Sequence, residues 1–252
     1  SRPVINIMAA ALPPLFVAID TPDADAASKV AAQLSLPGAG IKLGLEFFCA
    51  SGPAGIQTVQ AAAPGVPLFL DLKFHDIPNT VAGAVRSVAA LAPTLLTIHS
   101  SGGQAMMEAA VKAATESAAA LGVQRPKVLA VTVLTSMDDT DLTAVGMSTP
   151  AEQQVVRLAT LAKASGVDGV VCSAREIEPI RAALGPDFLL IVPGIRPAGG
   201  ASGDQKRVVT PKVAMEAGAS CLVVGRPITQ ADSPLQAAQA ILDEISSAGK
   251  AS

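Results

Sequence analysis

The segment DLKFHDIPNT at 71–80 places two carboxylates, Asp71 and Asp76, and one ammonium, Lys73, within six positions. It follows the apolar run VPLFL at 66–70. On a strand, alternate side chains share a face, so Asp71 and Lys73 are expected on one side, about 7 Å apart along the chain, where both can act on one ligand. Asp76 precedes Ile77 and Pro78, where a strand does not simply continue, and is assigned to the loop capping that strand. An ammonium flanked by carboxylates stays protonated, which argues against Schiff-base chemistry. Charges fed by an apolar run read as a site rather than as a solvated turn.

The elements that must position these groups repeat along the chain. Short β-rich runs alternate with Ala-rich segments of helical period, the pattern of parallel βα units. Eight strands are expected at Leu15–Asp20, Gly40–Leu43, Pro67–Lys73, Leu95–His99, Val128–Leu134, Gly169–Cys172, Phe188–Val192 and Cys221–Gly225. Helices are expected between them, for example Ala24–Leu34 after an acidic start and Thr149–Ser165. Eight units in 252 residues are about 31 residues each, which fits a single-domain (β/α)₈ TIM barrel over 15–252 behind an N-terminal extension, 1–14. An open doubly wound sheet fits less well, because no G-x-G-x-x-G follows the first strand.

A barrel places function at the C-terminal ends of its strands. The polar residues closing the runs are Asp20, Lys42, Asp71 and Lys73, with Thr135 and Ser136 after the fifth. Acids and lysines around one mouth imply a network in which each charge has an opposite neighbour. Asp20 reads equally well as a helix cap. The seventh run leads into PGIRP at 193–197 and a Gly-rich loop through 205, and the eighth ends in Gly225 and Arg226. Loops after strands 7 and 8 commonly hold phosphate, so Arg196, Gln205, Gly225 and Arg226 are the phosphate candidates.

Composition excludes several classes. With 50% apolar and 15% charged residues the chain can bury a large core. A net charge of −3 without a basic cluster offers no field for nucleic acid or anionic lipid. No apolar run reaches bilayer-spanning length, and the short apolar stretch near the N-terminus contains Asn6, which argues against a signal peptide. Cys49, Cys172 and Cys221 read as buried thiols of a protein in a reducing cytoplasm, and with only two histidines no metal site is expected.

The motifs resemble a known family, orotidine 5′-phosphate decarboxylase. DLKFHDIPNT matches its D-x-K-x-x-D-I-x-x-T signature. FVAID at 16–20, IKLGLEFF at 41–48, VTVLTSM at 131–137, PGIRP at 193–197, GDQ at 203–205 and VVGRPIT at 223–229 follow in the family's order. The resemblance implies decarboxylation of orotidine 5′-monophosphate (OMP) to UMP without metal or cofactor. Lys73 would protonate C6 between Asp71 and Asp76, with Lys42 in the network. It further implies that Asp20 contacts ribose, Ser136 the pyrimidine, Pro193 the pocket wall, and Arg196, Gln205, Gly225 and Arg226 the phosphate. The family is a homodimer in which Asp76, Ile77 and Thr80 would enter the neighbour's site. A monofunctional chain, without a phosphoribosyltransferase domain, is expected.

His75 and His99 are assigned structural places, His99 hydrogen-bonding in the mouth and His75 near the dimer surface. Met106, Met107, Phe47 and Phe48 are expected to pack. Two readings stand beside the decarboxylase. One is a Mg²⁺-dependent sugar-phosphate lyase sharing D-x-K-x-x-D, and the other is a catalytically silent nucleotide-binding barrel.

Overall fold

Every strand run of this chain divides its side chains between two apolar surroundings, the inside of a ring of strands and a surrounding layer of helices. The computed structural model describes residues 11–197 and 209–249. Over these, β1 (Leu15–Ala18), β2 (Ala39–Gly44), β3 (Leu68–Phe74), β4 (Leu95–His99), β5 (Lys127–Val131), β6 (Gly169–Val171), β7 (Leu189–Val192) and β8 (Cys221–Val224) pair in parallel in chain order, and β8 closes on β1. The helices are α1 (Ala24–Ala32), α2 (Leu45–Ala62), α3 (Pro78–Ala89), α4 (Gln104–Leu121), α5 (Asp139–Ala144), α6 (Ala151–Ala164), α7 (Ile177–Leu184), α8 (Pro211–Ala217), α9 (Arg226–Thr229) and α10 (Pro234–Ala248). The chain is a (β/α)₈ TIM barrel. Gln205, the loop 198–205 and most of the expected extension 1–14 lie outside the described residues.

Inside the ring, Phe16, Phe69, Leu95, Leu129, Ile191 and Val223 form a separate apolar cluster. Phe16 and Phe69 meet edge to face, with centroids 5.8 Å apart. Gly40 leaves the space the Phe16 ring uses, since a Cβ there would overlap that ring. The alternate positions, such as Leu15, Val17, Ile41, Leu43, Leu70 and Leu96, are fully or almost fully buried. Each contributes about 1.5–3 kcal/mol by leaving water. Helix α3 shows the matching pattern, burying Val81, Ala82, Val85, Val88 and Ala89 on one face while Arg86 and Ser87 stay exposed. Pro78 starts that helix, where its missing N–H costs nothing.

Several boundaries differ from expectation, two of them where a neighbouring strand ends. β1 stops at Ala18 rather than Asp20, its last partner across β8 being Val224 opposite Val17. β5 stops at Val131 rather than Leu134, because β6 ends at Val171. α1 is two residues shorter than expected, and α6 starts at Ala151 behind Pro150. Cys49 is exposed, which corrects its assignment as a buried thiol. It lies two residues after the buried Phe47 in α2, and a step of two turns a side chain to the opposite side of a helix. Cys172 and Cys221 are buried as expected, and burial pushes the Cys172 thiol up to about 12. Met106 and Met107 are fully buried.

Candidate active site

The C-terminal ends of β2, β3 and β4 bring Lys42, Asp71, Lys73 and Thr97 together in the barrel mouth. Lys42 and Lys73 each place Nζ 2.9 Å from the same oxygen, Oδ2 of Asp71. The other oxygen, Oδ1, accepts a hydrogen bond of 2.8 Å from the Thr97 hydroxyl. Asp71 is only 7% exposed, so an isolated charge there would cost several kcal/mol. Burial by itself makes the carboxyl a weaker acid, but the charges and hydrogen bonds of Lys42 and Lys73 outweigh burial and hold its pKa below the usual carboxylate range. Asp71 is therefore ionised at neutral pH. The Lys42 ammonium also lies 5.9 Å from the centroid of Phe69, the aromatic ring beneath it.

Simple strand alternation does not produce this geometry. The β3–β4 register passes from Leu70 opposite Leu96 to Phe74 opposite Ile98, so β3 carries extra residues over this interval. Lys73 takes φ 49°, in the left-handed region, at a cost of about 1–3 kcal/mol for a residue with a side chain. Its backbone N–H, displaced from the ladder, donates to the Thr97 hydroxyl oxygen at 3.0 Å. Thr97 is thus the member of the site that the motif reading missed. It was detectable as a polar residue inside the apolar run LLTIH, two positions before His99 and so on the same face.

The remaining candidates divide into two groups. Asp76, Ile77 and Thr80 lie at the exposed start of α3, with Ile77 66% exposed, and Asp76 spends Oδ1 on the Ile77 N–H at 2.6 Å. The structure does not bring Asp76 to Lys73 within this chain. Asp20 is exposed and is not the α1 cap, a role Asp23 fills by accepting from the N–H groups of Asp25 and Ala26. It stands beside Gly225, where a Cβ would lie 4.0 Å from Asp20 Oδ2. Gly225 and the exposed Arg226 follow β8 and open α9. Pro193 directly follows β7, and the exposed Arg196 donates its backbone N–H to Val209, closing the base of the loop after β7. Ser136 is exposed in the loop after β5.

His75 and His99 stack with centroids 5.1 Å apart, and this stack stands where a hydrogen bond of His99 was expected. Burial foremost, then the charges of His75 and Lys73, lower the basicity of His99, and Asp71 only partly opposes them. Among the described residues no group of three or more His, Cys, Asp or Glu side chains gathers in a way that could hold a metal, and no helix is long and apolar enough to cross a membrane.

Comparison with known proteins matches residues 13–241 to the family described as "Orotidine 5'-phosphate decarboxylase / HUMPS family". An orotidine 5′-phosphate decarboxylase of Rhodospirillum rubrum is 58% identical over 92% of this chain and 94% of its own length. A protein of the same name from Paramagnetospirillum magneticum is 53% identical over 92% of this chain and 98% of its own. Among solved structures, orotidine 5′-phosphate decarboxylase from Lactobacillus acidophilus superposes with a TM-score of 0.82 at 39% identity, covering 92% of this chain and 99% of that one.

Proposed function

Since the chain belongs to the orotidine 5′-phosphate decarboxylase / HUMPS family and is a carboxy-lyase, we propose that it converts OMP to UMP and carbon dioxide, the closing step of pyrimidine nucleotide synthesis, with Lys73 as proton donor. The observation that carries this reading is the carboxylate of Asp71 shared by two ammonium groups at the mouth of the barrel. Cleavage of the C6–carboxylate bond leaves its electron pair on C6. The Lys73 ammonium stabilises that charge and then gives C6 a proton, becoming a neutral amine. Asp71, ionised and already holding both lysines, does not compete for the proton and repels the substrate carboxylate before it departs.

Two lysines against one carboxylate leave the mouth a net positive charge, which suits an anionic nucleotide and leaves room for a second acid. We assign that acid to Asp76 of a second copy, entering with Ile77 and Thr80, because within one chain these three residues are exposed and away from Lys73. Asp20 is assigned to the ribose, Ser136 to the pyrimidine, Pro193 to the pocket wall, and Arg196, Gln205, Gly225 and Arg226 to the phosphate. The names of the relatives above favour this reading over a Mg²⁺-dependent sugar-phosphate lyase, and so does Asp71, whose two oxygens are both engaged.

The test is the ultraviolet change as OMP becomes UMP, with EDTA present, for wild type and Lys73→Ala. The absence of Trp and Tyr keeps the protein background low. Turnover by wild type alone is expected; no turnover by folded wild type overturns the assignment. Mixing Lys73→Ala with Asp76→Asn tests the shared site. Each mixed dimer then keeps one intact site, so activity returns to about one quarter of wild type if the two-fold pairing is random, whereas two self-contained sites give no recovery.

A further inference from the structure

Resting on the decarboxylase reading above, we propose that Thr97 is a positioning residue for Lys73 and Asp71, a single hydroxyl that couples the orientation of the carboxylate to the backbone turn that aims the ammonium.

Thr97 sits in the middle of β4 with no exposed surface, between Leu96 and Ile98, which are equally buried. Among the described residues its hydroxyl has two partners: it accepts from the Lys73 backbone N–H at 3.0 Å and donates to Asp71 Oδ1 at 2.8 Å. The directions follow from the chemistry of the partners. A backbone N–H can only donate, so the hydroxyl proton is left for the carboxylate, which can only accept. The hydroxyl takes the Lys73 N–H within the interval where the β3–β4 register shifts, between Leu70 and Phe74. The same atom thus bridges the interrupted stretch of the ladder and the site.

The consequence is mechanical. Asp71 is gripped from two sides, by the hydroxyl on Oδ1 and by two ammonium groups on Oδ2, which fixes the plane of its carboxylate. Lys73 is held at φ 49° by a hydrogen bond to a side chain rather than by sheet pairing. Removing the hydroxyl frees both at once. The buried N–H of Lys73 and Oδ1 of Asp71 lose their partner, the left-handed turn loses its latch, and the Lys73 ammonium loses its fixed approach to the mouth. Lys42 and the positive charge of the mouth remain, so substrate capture is retained while the reacting geometry loosens.

Thr97→Val keeps the shape and deletes the hydroxyl, whereas Thr97→Ser keeps the hydroxyl and deletes the methyl. Steady-state decarboxylation of OMP is measured for both beside wild type, with UMP affinity as a check on the intact pocket. The expected result is a fall in kcat of about 10–100-fold for Thr97→Val with KM and UMP affinity within a few-fold, and near-wild-type kcat for Thr97→Ser. If Thr97→Val does not fold, Thr97→Ser and Thr97→Ala differ by one hydroxyl and make the same comparison. The proposal is overturned if the variant lacking the hydroxyl keeps kcat within about threefold of its hydroxyl-bearing partner, or if KM rises while kcat holds, since both outcomes leave Thr97 a packing residue. An inactive wild type instead removes the decarboxylase reading itself, and the proposal with it.

Discussion

At each of its two ends the barrel holds a carboxylate paired with one or two cationic side chains, and the two are built differently. At the N-terminal end, Asp168 Oδ2 accepts from Arg125 Nη1 at 2.8 Å and from the Val128 N–H at 2.7 Å. Arg125 also donates to the Thr115 hydroxyl and the Pro126 carbonyl. Here one acid meets one planar guanidinium, whose Nε and Nη1 are aimed at fixed oxygens. At the C-terminal end one acid meets two ammonium groups on a single oxygen, and Lys73 keeps a side chain 32% exposed to the mouth. The first arrangement ties the starts of β5 and β6 together and has no charge to spare. Among the described residues, the second pairs two ammonium groups with one carboxylate. On the proposed reading, stability and chemistry lie at opposite ends, as in barrel enzymes.

Removing the ammonium at the active end gives the largest expected effect. Lys73→Ala is expected to lower kcat by at least about 10²–10⁴-fold, while the melting temperature stays close to wild type because Lys42 still pairs Asp71; calorimetry beside the ultraviolet assay reads both. Arg125→Ala is expected to do the reverse. Its loss leaves Asp168 without its cation and lowers stability by about 1–3 kcal/mol, or about 2–8 °C, with kcat within about twofold of wild type. A large loss of turnover in Arg125→Ala would break the comparison. Combining the two substitutions should give stability changes that add within about 0.5 kcal/mol, because the sites share no partner.

Acid sharpens the same contrast with a smaller effect. The folded Asp71 carboxyl lies below its ordinary value of 3.8, so its contribution is complete above that pH and is lost as pH falls toward the folded value. Thermal denaturation between pH 6 and pH 2 should fall more steeply for wild type than for Asp71→Asn, by fewer degrees than Arg125→Ala removes at neutral pH. His99 acts in a separate window. Its folded value lies below 6.5, so the unfolded chain takes up a proton that the folded chain refuses, and stability declines as pH falls from 6.5. A parallel decline in a His99→Asn variant would refute that assignment.

Much of this was legible along the chain. Strand β4 lies where its apolar run predicted, because five residues rich in Leu and Ile between turn signals admit little else. The motif at 71–80 pointed to the mouth because its charges directly follow a buried run. Cys49 was misread because α2 changes the period that decides which side chains are buried. Asp20 could not be told from a helix cap until Asp23 was seen to fill that role. Thr97 stands out as a polar residue in an apolar run, but that signal alone does not separate a strand threonine that packs from one that binds a carboxylate on the neighbouring strand.

The sequence by itself determined the number of strands, their order around the barrel and the identity of the charged groups at its mouth, since periodicity and side-chain chemistry are local properties. Only the tertiary structure decided that both lysines meet one oxygen of Asp71, that Thr97 takes the other, and that Asp76 stands apart from them. Those contacts depend on the register between β3 and β4 and on the left-handed turn at Lys73, and register is set by how neighbouring strands pack, which no single segment encodes.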